Sequence, residues 1–309
     1  MNAQPAASGT NIIATYVVLV FIWATTPLAI VWSVHDLHVM WAMVIRFFIA
    51  FPLAALLLLI LKVRFPLNKT ALHSYVAGSF SLIGSQIFTY AATSYLSSGM
   101  IALMFGLAPI MAGLIGSFLF KQRLYTLQWT GMGIAVLGLG IICLGGDSSQ
   151  KIQPLGIMLM LLSVFNYALS IFWVKKINAQ VEPMAQATGS ILVSLLGCIV
   201  LLPFIWSYAP THIPEGKSLL ALLYTVVMAS LVAMFCYFKL VQKIQATTLS
   251  LTNVMTPMLA IFIGAVFNHE KLSVMIFVGA SVLIAGLLLY FYKDIQASRA
   301  LAQKLKGSQ

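Results

Sequence analysis

The chain alternates long apolar runs with short polar breaks. Ten stretches, at roughly 12–34, 39–61, 71–93, 98–120, 125–145, 154–174, 184–206, 218–239, 246–267 and 272–292, are almost wholly apolar. An α-helix needs about 20 such residues to cross the hydrocarbon of a bilayer. The breaks, such as His35-Asp36-Leu37-His38 and Lys121-Gln122-Arg123, suit helix hairpins and leave no room for a soluble domain. The pattern predicts an all-α polytopic membrane protein with ten transmembrane helices, spans 1 to 10, and a polar, basic tail over 293–309.

Composition removes the alternatives. Hydrophobic residues make up 61% and charged residues 7%, with a mean hydropathy of +1.01, whereas a soluble domain carries about a quarter charged residues. A net charge of +11 would suggest nucleic acid in a soluble chain. Here the basic residues sit between the apolar runs, so no nucleic-acid partner is expected and the charge is topogenic. Of the 17 Lys and Arg residues, 13 fall in the tail and in loops on the side of the N-terminus, among them Lys62, Arg64, Lys121, Arg123, Lys175, Lys176 and Lys239. Only Lys151, Lys217 and Lys271 fall on the other side, and Arg46 lies inside span 2. Positive loops stay inside, which predicts a multi-pass protein of the cytoplasmic (inner) membrane with both termini in the cytoplasm. Residues 1–11 hold no Lys or Arg and the first apolar run is too long for a signal peptide, so none is expected. Cys143, Cys198 and Cys236 all lie within apolar runs, so neither a disulfide framework nor a metal site is expected.

A pattern recurs at an offset of 148 residues. Leu103, Pro109, Ala112, Gly116, Leu124, Gly131, Gly138 and Leu139 return without a gap as Leu251, Pro257, Ala260, Gly264, Leu272, Gly279, Gly286 and Leu287. The turn within the pattern reads Lys121-Gln122-Arg123 in the first copy and His269-Glu270-Lys271 in the second, so matching turns differ in charge. Ten spans also divide into two fives, and an odd number per repeat sends the second copy in from the opposite face. Both lines predict two inverted five-helix repeats, 12–145 and 154–292, an arrangement that permits alternating access about a central site.

Polar residues at mid-span depth are the candidates for that site, because polar groups in hydrocarbon must find partners. They are Trp23 in span 1, Gln86 and Tyr90 in span 3, Asn166 and Tyr167 in span 6, Ser230 in span 8 and Asn253 in span 9. Each can make an interhelical hydrogen bond or line a shared cavity. Pro109 and Pro257 each lack an N–H and free a carbonyl one turn back, so both are candidate helix breaks. Arg46, the single intramembrane charge, can snorkel to the outer headgroups or meet a substrate anion. The six carboxylates and five histidines all lie in loops or at span ends. No proton relay, acid–base pair, metal-ligand spacing or nucleophile motif follows from them. Neither an enzyme nor a cofactor is therefore expected.

Together, the two five-span repeats, Arg46-Phe47 in span 2, the mid-span prolines of spans 4 and 9, and Glu270-Lys271-Leu272 followed by glycines resemble the EamA family of the drug/metabolite transporter superfamily, over nearly the whole chain. Gln122 departs from the resemblance, since the family usually carries Glu there. The resemblance implies a transporter of small metabolites such as amino acids, with a cavity lined by spans 1, 3, 4, 6, 8 and 9 and with spans 5 and 10 peripheral. The leading expectation is a secondary exporter of a small neutral or zwitterionic substrate. An importer of similar solutes stands as the alternative, and a membrane-embedded enzyme as a distant one. A homodimer is compatible with the sequence, which does not decide the oligomeric state. Reporter fusions test the orientation: a fusion after Ser308 should behave as cytoplasmic and fusions after Ser148 or Lys217 as external. An external C-terminus would overturn the orientation.

Overall fold

The computed structural model describes residues 7–121, 123–144, 153–243, 252–268, 273–293 and 296. Among them the chain forms ten helical passages. Span 1 is Ala7–Ser33, span 2 Val39–Ile60, span 5 Thr126–Leu144, span 6 Pro154–Ile177, span 7 Pro183–Ile205, span 9 Thr252–Asn268 and span 10 Val274–Tyr290. Span 4 is broken into Ser98–Phe105 and Ala108–Phe120. Spans 3 and 8 each contain a widened π-helical segment, Phe80–Gly84 and Thr225–Val232, between ordinary α-helical parts. Six passages reach full membrane-crossing length and hydropathy among the described residues, and three more are shorter apolar helices. The chain is an all-α polytopic membrane protein built as two inverted five-helix repeats. Beyond Lys293 and Gln296, the basic tail lies outside the described residues, as does the turn that carries Glu270.

Local chemistry sets the helix ends. The Asn68 side-chain oxygen accepts from the Ala71 N–H at 2.8 Å, and the Ser97 and Ser273 hydroxyls cap spans 4 and 10 in the same way, each satisfying a donor that has no partner within its helix. Span 6 ends with Lys175 and Lys176 in its last turn and Asn178 in the left-handed region, placing positive charge at the negative end of the helix dipole.

The outer surface is apolar, because hydrocarbon surrounds it. Leu59, Phe204 and Val274 are each more than three-quarters exposed. Many hydroxyls and amides are turned inward and paired. Ser163 of span 6 bonds both Ser85 and Thr89 of span 3 at 2.8 Å, and Ser74 and Gln186 join spans 3 and 7 through two hydrogen bonds.

The repeat symmetry is visible where spans 5 and 10 cross. A Cβ added at Gly138 would lie 2.7 Å from the Gly279 carbonyl oxygen, and one at Gly279 would lie 2.7 Å from the Gly138 oxygen. Gly131 and Gly286 are related in the same reciprocal manner. Gly131 and Gly279 are repeat equivalents, as are Gly138 and Gly286. The contact is therefore antiparallel and isologous, with the two-fold axis perpendicular to both helices and so in the plane of the membrane. The π segments obey the same operator: shifted by 148 residues, Phe80–Gly84 falls inside Thr225–Val232.

Backbones this close tolerate no side chain. Gly138→Ala should destabilise the protein by about 1–3 kcal/mol through overpacking. Gly133→Ala should be neutral or slightly stabilising, because a Cβ there meets nothing within 4 Å. Thermal unfolding of the purified variants in detergent checks this, and an unchanged midpoint for Gly138→Ala would contradict the packing.

Candidate functional site

A cavity of about 90 Å³ lies between the repeats. Span 1 contributes Trp23, Thr26, Pro27 and Ile30, and span 2 contributes Arg46. Ser81 and Gln86 come from span 3, Ile101, Ala102, Phe105 and Gly106 from span 4, Tyr167 from span 6, Ala229 and Met234 from span 8, and Thr256 and Pro257 from span 9. Ser81 and Ala229 are repeat equivalents, and so are Gln86 and Met234, so corresponding positions of both halves face the same space. Its volume admits several water-sized groups, which suits a small solute. Among the described lining residues none is Asp, Glu, His or Lys.

Arg46 supplies the only formal charge among the described residues of that wall. It is 2% exposed, so it does not snorkel to the headgroups, and spans 2, 3 and 8 enclose it instead. Its Nε donates to the Ser230 hydroxyl at 2.8 Å and an Nη to the Gln86 side-chain oxygen at 3.3 Å. The Ser230 hydroxyl in turn donates to the Thr225 carbonyl, five residues back along the π segment, at 2.9 Å. Five guanidinium N–H groups minus these two leave three with no partner among the described residues. A charge at mid-membrane costs at least about 2.5–3.5 kcal/mol, and two neutral acceptors offset only part of that.

Aromatic rings close the end of the cavity toward Lys175. Trp23 and Tyr237 stand 5.4 Å apart between centroids, Tyr167 and Tyr237 share a side-chain hydrogen bond, and Phe105 meets Tyr167 edge-on at 6.0 Å. A smaller cavity of about 40 Å³ continues past them, lined by Ser170, Val174 and Lys175 as well as Trp23, Tyr167 and Tyr237.

At the opposite end, a cavity of about 450 Å³ holds Trp32, His35, Asp36, Glu215, Lys217 and Asn268. The Trp32 indole donates to Asn268 at 2.8 Å, with the Lys217 ammonium 3.5 Å above its ring. The His35 ring pairs with Asp36 at 2.7 Å, and that hydrogen bond holds the Asp36 carboxyl below its usual pKa. Two cavities thus lie on either side of the central one.

The predicted site residues separate on inspection. Trp23, Gln86, Tyr167 and Arg46 line the central cavity. Ser230 stands behind the wall as the acceptor for Arg46. Tyr90 is fully buried, its hydroxyl without a partner, in an apolar cluster with Ile30, Met43 and Phe47. It is therefore packed away from the cavity, because it sits one turn beyond Gln86 where spans 2 and 3 close together. Asn166 also turns away, donating to the Leu162 carbonyl of its own helix at 2.8 Å. Its oxygen would lie 3.2 Å from a Cβ at Gly84, so the amide lies against span 3 and not among the residues lining the cavity. The side chain of Asn253 lies outside the described residues. Pro109 does break its helix: it follows the turn at Gly106–Leu107 and brings no N–H to the Phe105 carbonyl. Pro257 causes no interruption, since Thr252–Asn268 runs through it. Proline withholds one ladder N–H, the one that would reach the Asn253 carbonyl, and the helix runs on past that gap.

The sequence reading did not identify Phe105, Met234 and Ser81 as lining residues. The repeat offset could have found Met234, since it pairs that residue with Gln86.

A two-repeat bundle with a solute-sized cavity at the repeat interface defines the class, a membrane transporter. The model of the EamA-like transporter family matches residues 10–144 and again 154–292, and the chain belongs to that family, which transports solutes and is not a family of enzymes. It is 22% identical to a protein of Escherichia coli K12 described as a probable amino-acid metabolite efflux pump, over 87% of this chain and 91% of that one. It is 24% identical to the uncharacterized inner membrane transporter YedA of the same organism, over 88% and 87% of the two chains. Protein PagO of Salmonella typhimurium is 27% identical over 77% of this chain and 79% of its own. A solved crystal structure shares the fold with a TM-score of 0.64 at 15% identity, covering 96% of this chain and 99% of the other.

Gln86→Leu removes a cavity-facing amide and a partner of Arg46, so transport should fall at least about tenfold if a charge-assisted hydrogen bond is lost. Asn166→Ala should leave transport within about twofold, the range of ordinary substitutions away from a site. Equal losses in both variants would contradict the placement of Asn166.

Proposed function

We propose that the protein is a secondary transporter of the cytoplasmic membrane that exports a small neutral or zwitterionic metabolite, such as an amino acid, by alternating access. The observation that carries this reading is the cavity on the repeat interface, whose walls are apolar and aromatic apart from Arg46 and a few neutral polar groups. A bare charged solute crossing such walls would meet a barrier, whereas a molecule with an apolar body and paired polar ends fits them. The E. coli relative described as a probable amino-acid metabolite efflux pump supports the substrate class. In this reading both termini face the cytoplasm, the small cavity beside Lys175 opens inward and the cavity around Asp36 opens outward.

Efflux of a metabolite panel from cells overproducing the protein, compared with cells lacking it, tests the reading. Selective loss of a small zwitterion from the overproducing cells is expected, and selective uptake would favour the import alternative. No titratable carboxylate or imidazole lines the cavity among the described residues, so transport into proteoliposomes should depend weakly on an imposed pH gradient. Uphill accumulation driven by the pH gradient alone would overturn that coupling.

A further inference from the structure

We infer that Arg46 is the anchor for a carboxylate on the transported molecule, and that it fixes which way the substrate lies in the cavity. The inference rests on the transporter reading above and adds the group recognised and the residue that recognises it. A guanidinium keeps its proton at every physiological pH. This one is 2% exposed, holds only two neutral acceptors and has no acidic partner among the described residues. Three N–H groups remain on the planar fork, and a carboxylate fits such a fork bidentately.

A second, independent observation lies in the same wall. The Thr256 hydroxyl is buried at 8% exposure, lines the cavity and has no hydrogen-bond partner. A buried hydroxyl left unpaired is costly unless a ligand or water meets it. Charge and unpaired hydroxyl thus share a space otherwise walled by Trp23, Ile30, Phe105, Tyr167 and Met234. That combination fits an amphipathic carboxylate, with its anionic end at spans 2 and 8 and its apolar body against the aromatic wall.

The two-fold symmetry sharpens the point. Span 7, the repeat counterpart of span 2, carries no charged residue anywhere along Pro183–Ile205. One half therefore brings a cation to the interface and the other none, so the symmetric scaffold holds a cavity charged on one side. A substrate with one carboxylate has a single favoured orientation in it. Ser230 and Gln86 act as positioning residues, because each holds the guanidinium.

The test uses the purified full-length protein in detergent and reads its thermal unfolding midpoint against ligand concentration. The probes are matched pairs that differ only in the acid group: 3-phenylpropanoate and its amide, phenylalanine and phenylalaninamide, and the same pairs built on 4-methylpentanoate and leucine. Carboxylates should raise the midpoint of the wild-type protein, with the amides about tenfold weaker or worse. Arg46→Gln should abolish the difference while unfolding, without ligand, no earlier than wild type, since it removes an uncompensated buried charge. Arg46→Lys should keep the preference for acids at reduced affinity, having the charge without the fork. Amides as effective as acids, no shift with any acid, or an acid preference intact in Arg46→Gln would each overturn the assignment. So would an Arg46→Gln variant that melts well below wild type and still distinguishes acid from amide, the mark of a structural arginine. Efflux in cells is read separately, so an exporter that moves solutes without any acid preference would sink the role of Arg46 alone.

Discussion

The guanidinium of Arg46 is a permanent charge, 2% exposed, in the wall of the central cavity. Three spans are organised around it. Span 2 carries it, span 3 brings the Gln86 amide and span 8 brings Ser230. The Ser230 contact depends on the local winding of span 8. Within the π segment the hydroxyl reaches the Thr225 carbonyl five residues back, which fixes its oxygen as an acceptor for Nε. π segments are rare, and where they occur they commonly mark functional sites. Here one steadies the only charge among the described residues of the cavity wall, and its repeat equivalent in span 3 presents Ser81 to the same space.

The rest of the architecture separates a rigid part from a part able to move. Spans 5 and 10 are locked by backbone contact across four glycines, leaving no slack for sliding, and none of their described residues lines the central cavity. The cavity-lining spans meet through fewer, softer contacts: hydroxyl pairs between spans 3 and 6, aromatic rings between spans 1 and 8, and an indole–amide bond between spans 1 and 9. Hydroxyl and ring contacts of this kind exchange partners at small cost. On the transporter reading proposed above, a two-fold scaffold whose halves exchange conformations would present the site to each face in turn.

Much of this was legible in the chain. Run length gave the ten passages, and the recurrence of Pro109, Gly131 and Gly138 as Pro257, Gly279 and Gly286 gave the inverted repeat, because close helix crossings demand glycine whichever way the chain runs. The site was harder to read. Depth along a span is visible in a sequence, but the face on which a side chain emerges is not, once π segments and a broken helix rotate the register. Hence Gln86 and Tyr167 reach the cavity while Asn166, beside Tyr167, turns back on its own helix and Tyr90 packs among apolar neighbours. Arg46 shows the same limit. Its sequence position allowed both snorkelling and substrate contact, and only its enclosure by spans 3 and 8 excludes the first. The outlying cluster of Trp32, Lys217 and Asn268 joins residues far apart in sequence, and no local pattern announces it.

The central claim is that the cavity between the repeats is the path a solute takes, open to one face at a time. Cysteine accessibility measures that directly. In a background freed of Cys143, Cys198 and Cys236, Ser81→Cys and Met234→Cys place thiols on the cavity wall from opposite repeats. Membrane-impermeant thiol reagents applied to right-side-out and inside-out vesicles should label both positions from both faces, and a transported solute should protect them. Thiols that stay unreactive from either face, or react without regard to solute, would contradict the account.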